Sequence, residues 1–211
     1  MKILLYGGTF DPPHNGHLHN LKHSAQCVRP DHVIVMPAGV PPHKRASETS
    51  GETRLQLCDC FQALLADGSV PSLAISDWEI QQAARGEKNY TVHTLEMLHE
   101  KYPTAALSLC IGSDMLLIFT TWYRWQDILS LATLVIESRE AGDADALQAV
   151  AKSLDPSGER ILFADAPPLP MASNALRAKL AKGEDCSAFL PPSVQAQIQK
   201  EGLYVETVRK A

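Results

Sequence analysis

The chain has 211 residues, a formal net charge of −5 and 45% hydrophobic residues. That length can bury a core without staples, and the mild negative charge argues against a protein that grips a nucleic-acid backbone, which would carry a basic stripe. No apolar run reaches membrane-spanning length and the N-terminus opens on strand-like sequence, so a cytoplasmic protein with no membrane partner is expected.

In chain order, Lys2-Ile3-Leu4-Leu5-Tyr6 reads as a buried strand. It runs into Gly7-Gly8-Thr9-Phe10-Asp11-Pro12-Pro13-His14-Asn15-Gly16-His17, and Leu18 to Ala25 carries the spacing of a helix. A glycine-rich turn between strand and helix lets backbone approach a phosphate, and the helix N-terminus adds oriented N–H donors. His14 and His17, three residues apart at that helix start, can face one bound anion. Further strands are expected at Val33–Met36, Leu73–Ser76, Leu107–Ile111, Ala132–Ile136 and Arg160–Phe163, with helical periodicity from Thr53 to Leu65 and Thr91 to His99. Loops are expected from Pro37 to Gly51 and from Glu137 to Asp143. A Pro-rich loop follows the sixth strand, then two terminal helices, the first opening with Ser173 or Asn174 as a cap. The last starts at Pro191-Pro192-Ser193 and stops at Gly202.

Strands that are apolar on both faces and alternate with helices suit a parallel sheet covered on both sides. The expected architecture is a doubly wound, Rossmann-like α/β fold, one domain over residues 1–211 with a helical C-terminal part from about residue 171. In such sheets ligands collect at the carboxyl ends of the strands, where strand order reverses. The five cysteines are scattered, and Cys58 and Cys60 lack zinc-ligand spacing, so reduced, buried thiols are expected. Among His14, His17, His19 and His23 only the last two share an i,i+4 face, and no Cys or carboxylate is placed to complete a zinc site.

Walker and dinucleotide-binding glycine patterns are both absent. The Gly7–His17 string instead resembles the H-x-G-H signature of adenylyl-transferring nucleotidyltransferases and, in its full extent, the bacterial nicotinate-nucleotide adenylyltransferases. Met171 to Arg177 resembles that family's second motif, I-S-S-x-x-I-R, with Ala172 where the family often has serine. Asn89 to Leu95 is similar to its S-Y-T-x-x-T-L stretch, Gly112-Ser113-Asp114 to its G-x-D, and Pro41-Pro42-His43-Lys44 to its loop after the second strand. Arg139 stands where the family usually shows Arg-Pro-Gly, here without the proline. The resemblance spans Lys2 to Tyr204.

What this resemblance implies is transfer of the adenylyl group of ATP to nicotinate mononucleotide, with Mg2+ bridging the triphosphate. His14, His17 and Arg177 would be catalytic. Gly7, Gly8, Thr9, Phe10, Gly16, Lys44, Gly112, Asp114, Arg139 and Ser173 would hold ATP, Asp114 through ribose hydroxyls. Trp122 would stack the pyridine, while Tyr90 and Thr91 hold its carboxylate largely through backbone N–H groups. Rival readings are another adenylyltransferase of this fold, acting on phosphopantetheine or a nucleotide-sugar precursor, and a non-catalytic nucleotide sensor. Oligomeric state is not legible in the sequence.

Overall fold

The computed structural model describes residues 1–40, 49–137, 144–165, 167, 169 and 171–205. Its centre is one six-stranded sheet: β1 (Lys2–Gly8), β2 (His32–Pro37), β3 (Leu73–Ile75), β4 (Ala106–Gly112), β5 (Ala132–Glu137) and β6 (Ile161–Phe163). Every pairing is parallel, and the spatial order is β3-β2-β1-β4-β5-β6. Order reverses between β1 and β4, whose register sets Tyr6 beside Cys110. That reversal opens a crevice beyond the carboxyl ends of both strands.

The connecting helices are α1 (Asn15–Val28), α2 (Gly51–Leu57), α3 (Gln62–Ala66), α4 (Trp78–Ala84), α5 (Thr91–Lys101), α6 (Ser113–Leu117), α7 (Trp125–Leu131), α8 (Ala144–Leu154), α9 (Ser173–Ala181) and α10 (Pro192–Glu201). Because side chains alternate along a strand, β1 feeds two cores. Leu4 and Tyr6 pack with Leu21, Phe61, Leu64 and Ile198 on one face. Ile3 and Leu5 pack with Leu95, Leu98, Ile128 and Leu147 on the other. Each fully buried aliphatic side chain stabilises by about 1.5–3 kcal/mol over its exposed state, so double-sided burial makes β1 the anchor of the sheet.

All six expected strands are present. The single helical run expected from Thr53 to Leu65 is instead two short helices joined by a 3-10 turn, Cys58–Phe61. The tighter winding eclipses residues three apart. It turns Cys58 and Phe61 inward together, and both are fully buried. Of the five free thiols only Cys27 is exposed, against the expectation that all would be buried. The last helix stops as expected at Gly202, whose left-handed φ of 62° suits a residue without Cβ. No helix among the described residues is long and apolar enough to cross a membrane.

Candidate functional site

The turn after β1 is shaped from inside. A Cβ on Gly8 would lie 2.7 Å from the Phe10 ring, so only glycine lets that ring fold back under the strand end. Phe10 takes a left-handed φ of 50° and packs on Tyr6 and Phe61, with His17 set edge-on against it at 5.1 Å. It is 1% exposed. The structure therefore places Phe10 as the packed floor of the loop, while Gly7, Gly8 and Thr9 form its more open rim.

His14 is the N-cap of α1 and His17 lies one turn in. Their rings stack 3.7 Å apart at 21°. The backbone N–H of His14 donates to Nδ1 of His17 at 3.1 Å, and the N–H of His17 donates to the His14 carbonyl at 2.8 Å. An Nδ1 that accepts leaves the proton of a neutral imidazole on Nε2, so His17 is set to donate from its far nitrogen. A Cβ on residue 16 would lie 3.0 Å from the His14 ring and press on it, so glycine leaves that ring its place. His19 and His23 form a separate ring pair at 4.3 Å, with His19 Nε2 hydrogen-bonded to the Pro167 carbonyl at 2.9 Å. Among the described residues no group of three or more His, Cys, Asp or Glu side chains could hold a metal ion.

The second motif docks onto the first. Ala172, not Ser173 or Asn174, is the N-cap of α9, and it offers no side-chain cap. Ser173 is drawn off: its hydroxyl donates to the Pro12 carbonyl at 3.0 Å. Arg177 donates through Nη1 to the Asp11 carbonyl at 2.6 Å, with the Asp11 carboxylate 3.9 Å away. The side chain of Arg177 is still 41% exposed. Asn15 is tied in turn to the Phe189 and Ala188 carbonyls ahead of α10. The C-terminal part of the chain thus closes over the histidine turn.

Across the crevice, β4 ends at Gly112, the N-cap of the short helix α6. Ser113 is buried, and Asp114 is exposed in the first turn of α6. Tyr90 is the extended N-cap of α5 and Thr91 its first residue, so the N–H groups there have no acceptor within the helix. The Tyr90 ring contacts Tyr123 at 4.7 Å and His93 at 5.6 Å. Trp122 packs on Phe119 at 5.5 Å. The aromatic partner that meets Tyr90 is therefore Tyr123, which is 49% exposed. Lys44 and Arg139 lie outside the described residues.

Sequence reasoning missed the group that fixes the loop after β2. Arg54, on α2, is 4% exposed and donates through Nη1 to the Thr9 carbonyl at 2.9 Å and the Ala38 carbonyl at 2.6 Å. Burial pushes Arg54 below the usual arginine range, and the Asp11 charge pushes it back up. Glu79 accepts from the Thr94 hydroxyl at 2.7 Å and from the Gly39 backbone N–H. Burial raises its carboxyl pKa, and those two hydrogen bonds lower it again. Asn89, the residue standing where the family has serine, accepts from the Val40 N–H at 2.9 Å. Three polar side chains thereby hold three consecutive residues, Ala38 to Val40. A charged residue in an amphipathic helix looks like surface from sequence, and only the fully apolar neighbours Leu57 and Phe61 hinted that this face turns inward.

The sequence profile of the cytidylyltransferase-like family matches residues 5–189. A Pectobacterium atrosepticum protein named "Probable nicotinate-nucleotide adenylyltransferase" is 35% identical, over 94% of this chain and 96% of its own length. One of the same name from Chlorobium phaeobacteroides is 31% identical, over 97% of this chain and all of its own length. The fold is also that of the Plasmodium falciparum nicotinic acid mononucleotide adenylyltransferase complexed with NaAD, with a TM-score of 0.75, 19% identity and coverage of 96% of this chain and 97% of that one. With both motifs joined at the switch point of the sheet, the chain belongs to the cytidylyltransferase-like family and, within it, to the nicotinate-nucleotide adenylyltransferases.

Proposed function

We propose that the protein joins ATP and nicotinate mononucleotide into deamido-NAD and pyrophosphate, a step of NAD synthesis carried out in the cytoplasm. The observation that carries this reading is the stacked His14–His17 pair at the start of α1, beside the crevice where strand order reverses. The 5′-phosphate oxygen of the mononucleotide attacks the α-phosphorus of ATP in line. The new P–O bond forms as the bond to the β-phosphate bridging oxygen breaks, and pyrophosphate leaves with that electron pair. The attacking phosphate is already ionised near neutral pH, so the enzyme's work is positioning and charge stabilisation.

His17 donates from Nε2 to the phosphate oxygens around the reacting centre, and His14 with the first N–H groups of α1 lines the same anion. Arg177 and Lys44 steady the outer phosphates, and Arg139 meets a phosphate or the adenine. Gly7, Gly8 and Thr9 give the chain close approach to the triphosphate, and Asp114 binds ribose hydroxyls. Mg2+ arrives with ATP as its substrate complex, held mainly by phosphate oxygens. Trp122 stacks the pyridine. Orphan N–H groups at Tyr90 and Thr91 favour a carboxylate, because an amide –NH2 aimed at them leaves buried donors unpaired. That mismatch supports discrimination on the order of 10⁴-fold against nicotinamide mononucleotide.

The test is pyrophosphate release by the purified protein with Mg–ATP and either mononucleotide. Release with nicotinate mononucleotide, and far less with nicotinamide mononucleotide, is expected. Release with neither would overturn the reading.

A further inference from the structure

Tyr204 follows the end of α10 and takes a left-handed φ of 62°, a conformation that bulky side chains rarely adopt. The strained backbone delivers its hydroxyl to the Asp11 carboxylate, where it donates to Oδ1 at 2.6 Å. The Thr49 side chain hydrogen-bonds the same phenol oxygen. Burial, and then the Asp11 hydrogen bond, push the phenol well above its ordinary range, so it stays protonated and keeps donating. One hydroxyl near the end of the described chain thus joins the histidine turn to the residue ahead of α2.

Arg177 shares Asp11. Its Nη1 rests on the Asp11 carbonyl, and its distance of 3.9 Å from Oδ2 is longer than a charge-assisted hydrogen bond. A guanidinium has five N–H donors, and this one is partly open to solvent beside the turn. A buried carboxylate and an incoming phosphate compete for the same cation. The carboxylate's claim weakens when another donor occupies it.

We propose that Tyr204 is a positioning residue: by occupying the Asp11 carboxylate, it keeps the Arg177 guanidinium available to the phosphates of ATP. The proposal rests on the function proposed above for its choice of nucleotide. Removing the hydroxyl takes a donor from Oδ1 of Asp11, draws Arg177 into a closer pair with the carboxylate, and obliges ATP to break that pair.

The experiment measures affinity for α,β-methylene ATP and thermal midpoint in the full-length wild type, Tyr204→Phe, Asp11→Asn and Tyr204→Phe/Asp11→Asn. Tyr204→Phe should weaken binding roughly tenfold, the effect of one charge-assisted contact. Adding Asp11→Asn should restore affinity to near that of Asp11→Asn alone, because the competing charge is gone. Unchanged affinity in Tyr204→Phe overturns the proposal, as does a loss that Asp11→Asn fails to rescue or a wild type that does not bind the analogue. A fall in thermal midpoint with wild-type affinity also overturns it, since that is a purely structural role. Wild type that binds the analogue yet releases no pyrophosphate with nicotinate mononucleotide sinks the proposed reaction instead, and the affinity series still decides on Tyr204.

Discussion

The His14 ring lies 3.0 Å from where a Cβ on residue 16 would sit, and its face is covered by His17 at 3.7 Å. Two imidazoles this close cannot both carry a full positive charge cheaply without an anion between or beside them. The backbone N–H of His14 on Nδ1 of His17 favours the neutral, Nε2-protonated ring. This arrangement suits a donor whose strength is called on only as negative charge builds at a phosphate. His17→Ala should lower turnover about 10²–10³-fold, as loss of one transition-state donor does. Its thermal midpoint should fall by only a few degrees, because the His14 N–H loses its acceptor while α1 keeps its core contacts at Leu21 and Ala25. Steady-state turnover at saturating substrates, beside a melting curve, checks both parts. Near-normal turnover in a folded variant would remove His17 from the mechanism. The histidine spacing was legible in sequence because the strand, turn and helix around it each carry a local signal. The packing role of Phe10 was not, since a ring that folds beneath its own loop depends on the left-handed φ and on Phe61, 51 residues on.

Two loops leave the sheet side by side, after β1 and after β2, and α2 reaches between them with Arg54. The Thr9 and Ala38 carbonyls point at one guanidinium nitrogen, so neither loop is positioned without the other. Arg54→Ala leaves two part-buried carbonyls short of a donor, empties the buried site of the side chain, and should cost about 2–5 kcal/mol. For a chain of this size that is roughly 5–15 °C in thermal midpoint. Arg54→Lys keeps the charge but not the reach of the fork, and should recover only part of the loss. Calorimetric melting of the two variants reads this directly, and an Arg54→Ala protein as stable as wild type would show that the loops hold themselves. At this scale the strands were legible because a parallel strand is apolar on both faces, as Leu4, Leu5, Val33 and Ile34 are. The short helices α4, α6 and α7 span five to seven residues, too few for a helical period to stand out. Helix α8 does carry the signal, with Leu147, Ala151 and Leu154 on one face, although only the loop before it is expected from sequence. The cap of α9 failed for another reason: Ser173 has a better acceptor in the Pro12 carbonyl, a partner 161 residues away.

Over the whole molecule, acidity should act through histidines outside the site. Burial lowers His23 below its ordinary value of 6.5, with nearby His19 adding to the effect. His32 is lowered in the same way by burial and then by Lys101. Each ring therefore binds its proton at lower pH in the folded chain than in the unfolded one. Between the two values the unfolded state holds more protons, so stability rises with pH and is lost as pH falls through 6.5 toward the folded values. Glu79 works in the opposite sense. Burial raises its carboxyl above 4.5, so the folded state binds the extra proton there and acidification through that window relieves a cost. The carboxylates of Asp67, Asp155 and Asp185 are lowered by hydrogen bonds from Ser69, Ser157 and Ser187, and their stabilisation is lost only as pH falls below 3.8. Among these groups the mildly acid range sets two rings against one carboxyl, and substitution separates them. Urea unfolding at about pH 7, 6 and 5 should show the wild type losing more stability on acidification than His23→Gln/His32→Gln. Glu79→Gln should steepen the loss, because the group that offset the histidines no longer titrates. Both rings are partly exposed, so solvent screening keeps their contributions small, and the comparison rests on the difference in slope between variants. Parallel pH profiles for wild type and the double histidine variant would place the acid sensitivity of this fold elsewhere.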